Sequence, residues 1–128
     1  MRLLLDTHAL LWALEGNPRL SQRALNAMRD AENPAWFSMA SFWEVAIKRS
    51  LTKLQLPPDW LSRVTAHMMD NAIGHLDIGP EHCSRVESLP HHHRDPFDRM
   101  LAAQALVEKL TIVSADPSFD AYGVQRLW

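Results

Sequence analysis

Apolar residues open the chain as a run, "RLLL" over positions 2–5, and stop at Asp6; they then resume at helical spacing as Leu10, Leu11 and Leu14. That change of period predicts a short buried strand over 2–5 and a helix over 7–15, closed by Gly16-Asn17-Pro18. A second helical pattern covers 19–31, apolar at Leu20, Ala24, Leu25 and Met28, and Glu32-Asn33-Pro34 breaks it. "AWFS" (35–38) reads as a strand, and 39–51 as a helix with Phe42, Trp43, Ala46 and Ile47 at helical spacing. "LQLPPDW" is a turn into a helix over 59–71, followed by a strand at 75–78 and a helix starting near Pro80. "LPHHHRDP" is a loop, the Ala- and Leu-rich 97–109 a helix, "LTIVSAD" (110–116) a β-branched strand, and "GVQRLW" (123–128) a last strand.

Short strands alternating with helices predict an α/β fold, a parallel sheet with helices on both faces. The length of 128 residues suits one domain over 1–128, with no linker or repeat in view. At 47% hydrophobic and 22% charged, the composition is that of an ordinary globular protein. A net charge of −2 argues against a strongly basic nucleic-acid module but leaves room for a local basic patch. No apolar run reaches the roughly 18 residues that mark a membrane span. Asp6 and His8 interrupt the opening apolar run and no small-residue cleavage site follows, so no signal peptide is expected. The single cysteine, Cys83, excludes an internal disulfide framework and fits a reducing cytoplasm.

The chemistry gathers where the acids fall. Ligands of an open parallel sheet sit beyond the carboxyl ends of its strands. Asp6 ends the first predicted strand and Asp116 ends "LTIVSAD". Helices start at that same edge; Glu44 lies about a turn into one helix and Asp98 in the first turn of another, with Asp95 nearby. Two carboxylates about 5 Å apart repel by roughly 3 kcal/mol at an effective dielectric of about 20. A helix N-terminus offsets only about 0.3–1 kcal/mol per acid. Either the pKa values rise or a cation joins the group, and hard oxygen donors without cysteine point to Mg²⁺ or Mn²⁺. Such a site suits phosphodiester chemistry.

Each acid also has an ordinary structural reading. Asp6 can cap the helix after it. "SFWE" (41–44) has the form of a capping box, although Ser38 is the better cap, and Glu44 can pair with Lys48 at i+4. "DPFD" (95–98) is a good helix start by itself, and Asp116-Pro117 a normal turn signal. What argues against coincidence is four acids at strand ends and helix starts around one edge. Among other features, the His91–His93 run lacks helical ligand spacing and reads as solvated loop, with a metal or phosphate contact as the alternative. Cys83 reads as a small packed side chain, and the tryptophans, Trp12 and Trp43 included, as mostly core or interface. Four separated glycines exclude a glycine-rich phosphate loop.

"LLLDTHALLWAL", "SFWEVAIK", "HHRDPFDRMLAAQAL" and "TIVSADPSFDAYG", in that order, together resemble the PIN-domain ribonucleases, and among them the VapC-type toxins of bacterial toxin–antitoxin pairs. The resemblance implies a three-layer α/β/α sandwich around a parallel sheet and metal-dependent cleavage of RNA. It implies that Asp6, Glu44, Asp98 and Asp116 are the catalytic, metal-holding acids. Thr7 and Ser114 would support them from behind, and Asp95 would be a cap or an outer group. It also implies an antitoxin partner whose tail covers the acidic pocket, and a toxin homodimer. A Ser stands two before the last acid, where Thr is frequent; the hydroxyl is kept.

The expected mechanism is hydrolysis of an RNA phosphodiester assisted by one or two Mg²⁺ or Mn²⁺ ions. Arg94 and Arg99 flank the site in sequence and are candidates for phosphate contact; Arg99 is equally a candidate partner of Glu44 or Asp95. Rival functions are a nuclease or phosphatase acting on another phosphate ester such as DNA, and a non-catalytic partner-binding domain in which the acids are only caps.

Overall fold

The computed structural model describes residues 1–92 and 94–128. Strands β1 (Leu3–Leu5), β2 (Ala35–Ser38), β3 (Ile73–Leu76), β4 (Thr111–Val113) and β5 (Arg126–Leu127) form one parallel sheet in the order β3-β2-β1-β4-β5. Leu3 lies level with Ala35 on one side and Thr111 on the other. Strand β1 is therefore central, and this explains its unbroken leucines: a central parallel strand is covered on both faces. Successive side chains point to opposite faces. Leu3, Leu5, Phe37 and Val113 enter one core cluster, together with residues of helices α1 (Thr7–Glu15), α2 (Gln22–Arg29), α3 (Met39–Ser50) and α4 (Trp60–Asp70). Leu4 and Ile112 enter the other, against α5 (Pro80–Ser88) and α6 (Pro96–Glu108). The result is the expected α/β/α sandwich.

Local chemistry sets the helix ends. Gly16 closes α1 at φ 65°, a left-handed position that glycine takes without steric cost. Ser21 accepts the Ala24 N–H, so α2 starts at Gln22, three residues later than the apolar pattern suggests. Ser38 caps α3 through the Ala40 N–H, as expected. Strand β3 begins at Ile73 rather than residue 75: Gly74 lies so close to Trp36 that an added Cβ would stand 3.0 Å from its ring, and Asp77 to Gly79 form the turn into α5. Pro117–Tyr122 forms a 3₁₀ helix, capped by Asp116, that the apolar pattern did not signal. Cys83 is exposed on α5, which corrects its reading as a packed side chain. No helix is long and apolar enough to cross a membrane among the described residues.

Candidate active site

The strand tips and helix starts meet at one edge, and a cleft of about 310 Å³ opens there. Asp6, Glu44, Asp98 and Asp116 all line it, with Asp95 beside them. For Asp6, Asp95 and Asp116 the capping reading and the pocket reading are both correct, whereas Glu44 lines the pocket without capping α3, whose cap is Ser38. Asp6 follows β1 and accepts the Thr7 N–H at 2.7 Å; Asp116 accepts the Ser118 N–H at 2.9 Å; Asp95 accepts those of Phe97 and Asp98. An acid at the start of a helix that begins where a strand ends must face the sheet's carboxyl edge, so capping itself delivers carboxylates to the cleft.

Hydroxyls fix the acids from behind. Ser114 Oγ donates to Asp6 Oδ2 at 2.7 Å and accepts the Asp116 N–H at 3.0 Å, which links the tips of β1 and β4. Thr7 Oγ1 lies 2.6 Å from Glu44 Oε1 and 2.9 Å from Ser41 Oγ. Glu44 is only 4% exposed, and its other oxygen is ion-paired with Lys48, the partner expected at i+4. Arg126 donates to the Ser114 carbonyl at 3.1 Å, bracing the end of β4 from β5.

The electrostatics show that the acids share one field. Burial pushes the Asp98 carboxyl up to about 8, and repulsion from Asp95, Asp6, Glu44 and Asp116 adds to the rise. Burial also raises Asp6, against the opposing hydrogen bonds from Ser114 and Thr7 and the nearby His8. Partial burial lowers the Lys48 pKa, but the hydrogen bond and charge of Glu44, then the charges of Asp95 and Asp98, reverse this and leave it raised. Lys48 reaches into this cleft of five acids and pairs with one of them, Glu44.

Among the described residues, no group of three or more His, Cys, Asp or Glu side chains stands in an arrangement that could hold a metal ion. The carboxylates share a pocket and a field. Their chemistry, all oxygen donors on strand tips and helix starts, is of the kind a hard divalent cation takes.

Several residues stand elsewhere than the sequence suggested. Arg99 is buried, and its guanidinium donates to the carbonyls of Pro90, Val86 and Leu89 at 2.8, 3.0 and 3.3 Å. It neutralises the end of α5, and neither meets Glu44 or Asp95 nor lines the acidic cleft. Neighbours on a helix point about 100° apart, so adjacency to Asp98 did not bring Arg99 to the acids. Arg94 is exposed and lines a second depression with His91 and Arg99. His91 and His92 are exposed; His93 of that run lies outside the described residues. Trp43, read as core or interface, is 60% exposed. The cleft also contains residues that no acid pattern could reveal: His8, Trp12 and Trp128. Trp12 was read as core because it falls on α1's apolar face, and it does pack against the core while also forming cleft wall.

Solved structures share this fold. VapBC2 from Rickettsia felis, bound to a DNA fragment from its promoter, matches with a TM-score of 0.75 at 15% identity over 99% of this chain and 98% of that one. FitAcB from Neisseria gonorrhoeae gives 0.65 at 17% identity, covering 98% and 96%. VapBC-1 from nontypeable Haemophilus influenzae gives 0.64 at 13% identity, covering 99% and 97%. No curated protein matches the sequence significantly. The family model of the PIN domain matches residues 3–125. With nearly its whole length inside that match and its sheet and helices in the same arrangement as these structures, the chain belongs to the PIN-domain family.

Proposed function

We propose that this chain is a single metal-dependent endoribonuclease domain, the VapC-type toxin of a toxin–antitoxin pair. The observation that carries the reading is the convergence of Asp6, Glu44, Asp98 and Asp116 in one cleft, where burial and then repulsion from the neighbouring acids push Asp98 up to about 8. A stable fold gains nothing from that repulsion, whereas a site that takes up a divalent cation does.

Asp6, Glu44, Asp98 and Asp116 would hold Mg²⁺ or Mn²⁺. When bound, the cation supplies the charge that activates water and offsets negative charge developing on the phosphate. The chain's own residues do the rest. Ser114 and Thr7 hold Asp6 and Glu44 in single orientations through hydrogen bonds of 2.7 and 2.6 Å. Lys48 pairs with one oxygen of Glu44 and holds that carboxylate in place. Asp98 gives up its proton so that all four carboxylates act as anions. Asp95 anchors the start of α6 and thereby the position of Asp98. Of the two candidate arginines, Arg94, exposed and lining the second depression, is the one left to steer phosphate.

The VapBC complexes among the structural neighbours support an antitoxin partner; the family resemblance adds a homodimer, and the single cysteine fits a reducing cytoplasm. Cleavage of labelled RNA and of the same sequence as DNA, in Mn²⁺ and in EDTA, tests the activity. We expect Mn²⁺-dependent cutting of RNA that Asp6→Asn reduces by more than about 100-fold, beyond the loss typical of a supporting residue. Wild-type rates from both Asp6→Asn and Asp98→Asn, folded by circular dichroism, would overturn it.

A further inference from the structure

One wall of the acidic cleft is aromatic. Trp12 on α1 and Trp128 just after β5 meet edge to face, their ring centroids 5.9 Å apart at 61°. His8, one turn before Trp12, meets it edge to face at 5.4 Å and 87°. All three line the same cleft as the acids, and His8 is exposed while both tryptophans are half-buried. Both indoles pack one side against the core cluster that includes Leu3, Leu5 and Val113. Each indole is thus held by the core while also lining the cleft.

We propose that this wall stacks an unpaired nucleobase next to the bond being cut, making Trp128 and Trp12 determinants of substrate binding. The inference rests on the reading of the cleft as a nuclease site. The physical case has three parts. An aromatic face is electron-rich and repels a phosphate, so the wall does not serve the charged part of the substrate. A nucleobase is the flat, polarisable part of a nucleotide, and stacking tolerates any base sequence. Finally, the two walls divide the work: carboxylates and Lys48 on one side deal with cation and phosphate, and indoles on the other with the base. A base paired inside a duplex has no free face, so the wall selects unpaired strands.

Two nuclease-resistant octamers test this, both carrying the same number of phosphates. One is a mixed-sequence 2′-O-methyl RNA; the other has the same backbone with every base removed. Their affinities in Mg²⁺ are measured by fluorescence anisotropy for wild type, Trp128→Ala, Trp128→Phe and the exposed His8→Ala. We expect wild type to bind the base-bearing octamer about 5- to 100-fold more tightly than the baseless one. Trp128→Ala should lose most of that preference while binding the baseless octamer as wild type does, and Trp128→Phe should recover it in part. If Trp128→Ala does not fold, Trp128→Phe and His8→Ala carry the test, each with a reduced preference expected. An unchanged preference in the folded variants overturns the inference and leaves the wall to a side chain of a partner protein; so does the absence of any preference in wild type. Cleavage of the unmodified octamer is scored separately. Base preference without cleavage would refute the nuclease reading alone, and cleavage without base preference would refute the stacking wall alone.

Discussion

Two groups of buried polar side chains lie in this molecule, one between α5, α6 and the end of β2, the other in the cleft at the tips of β1 and β4. In the first, donors and acceptors match. Ser38 Oγ donates to Gln104 Oε1 at 2.6 Å, Gln104 Nε2 donates to the Asp77 carbonyl at 3.3 Å, and the His82 ring accepts the Gly79 N–H at 2.9 Å while its other nitrogen lies 2.9 Å from Glu108. Gln104 is 0% exposed and His82 4%. In the second, Asp6, Glu44, Asp95, Asp98 and Asp116 line one cleft, and repulsion adds to burial in raising Asp98. The first group is neutral or balanced and ties helices to the sheet. The second gathers like charges in one cleft, where burial and then mutual repulsion raise Asp98 and favour a proton or a cation. Buried polarity that satisfies itself reads as structure; buried polarity left in conflict reads as a site.

The contrast yields predictions for each group. Ser114→Ala breaks the cleft from behind: it frees Asp6 and Asp116 to move without touching the charge count. Metal-dependent cleavage should fall by about 10- to 100-fold, with only a small change in metal-free melting temperature. Equal activity would mean that the hydroxyl link between the strand tips does not orient the acids. Gln104→Leu breaks the balanced network instead, stranding the Ser38 hydroxyl and the Asp77 carbonyl. Urea unfolding should show a loss of about 1–3 kcal/mol, while the folded variant keeps its cleavage rate.

A more gradual effect comes from pH. Burial and the neighbouring acids push the folded Asp98 carboxyl up to about 8, from an ordinary 3.8, so across that interval the native state holds a proton the unfolded chain has released. Stability of the protein in EDTA should therefore fall as pH rises from about 4 to 8. The relief given by protonation is complete below the lower value and gone above the upper one. Asp98→Asn should flatten the slope; an unchanged slope would show that burial and the neighbouring acids do not raise Asp98 in the folded protein.

Much of this was legible in the sequence, and the exceptions have physical causes. Helix α1 runs from Thr7 to Glu15, as its leucine spacing and the Gly16 stop predict. The four acids, Thr7 and Ser114 fall in or directly behind one cleft because strand ends and helix starts share an edge, a rule that needs no side-chain coordinates. Direction around a helix was harder to judge. Arg99 adjoins Asp98 in sequence yet turns to the end of α5, and Cys83 faces outward from a helix whose apolar stripe is weak. Trp12 and Trp128 escaped notice as cleft residues because one indole satisfies an apolar pattern and lines a polar site at once. Strand β3 slipped by two residues because Gly74 lies against Trp36, a tertiary contact that local propensity does not register.

The central claim, that acids from separate strands and helices act together on one cation, is tested most directly by calorimetric titration of Mn²⁺ into the metal-free protein. Wild type should show saturable binding with release of protons near neutral pH. Asp6→Asn and Asp116→Asn, altered at the tips of two different strands, should each weaken it by about 10-fold or more. Binding that persists unchanged in both variants, or no binding in a folded wild type, would contradict the account.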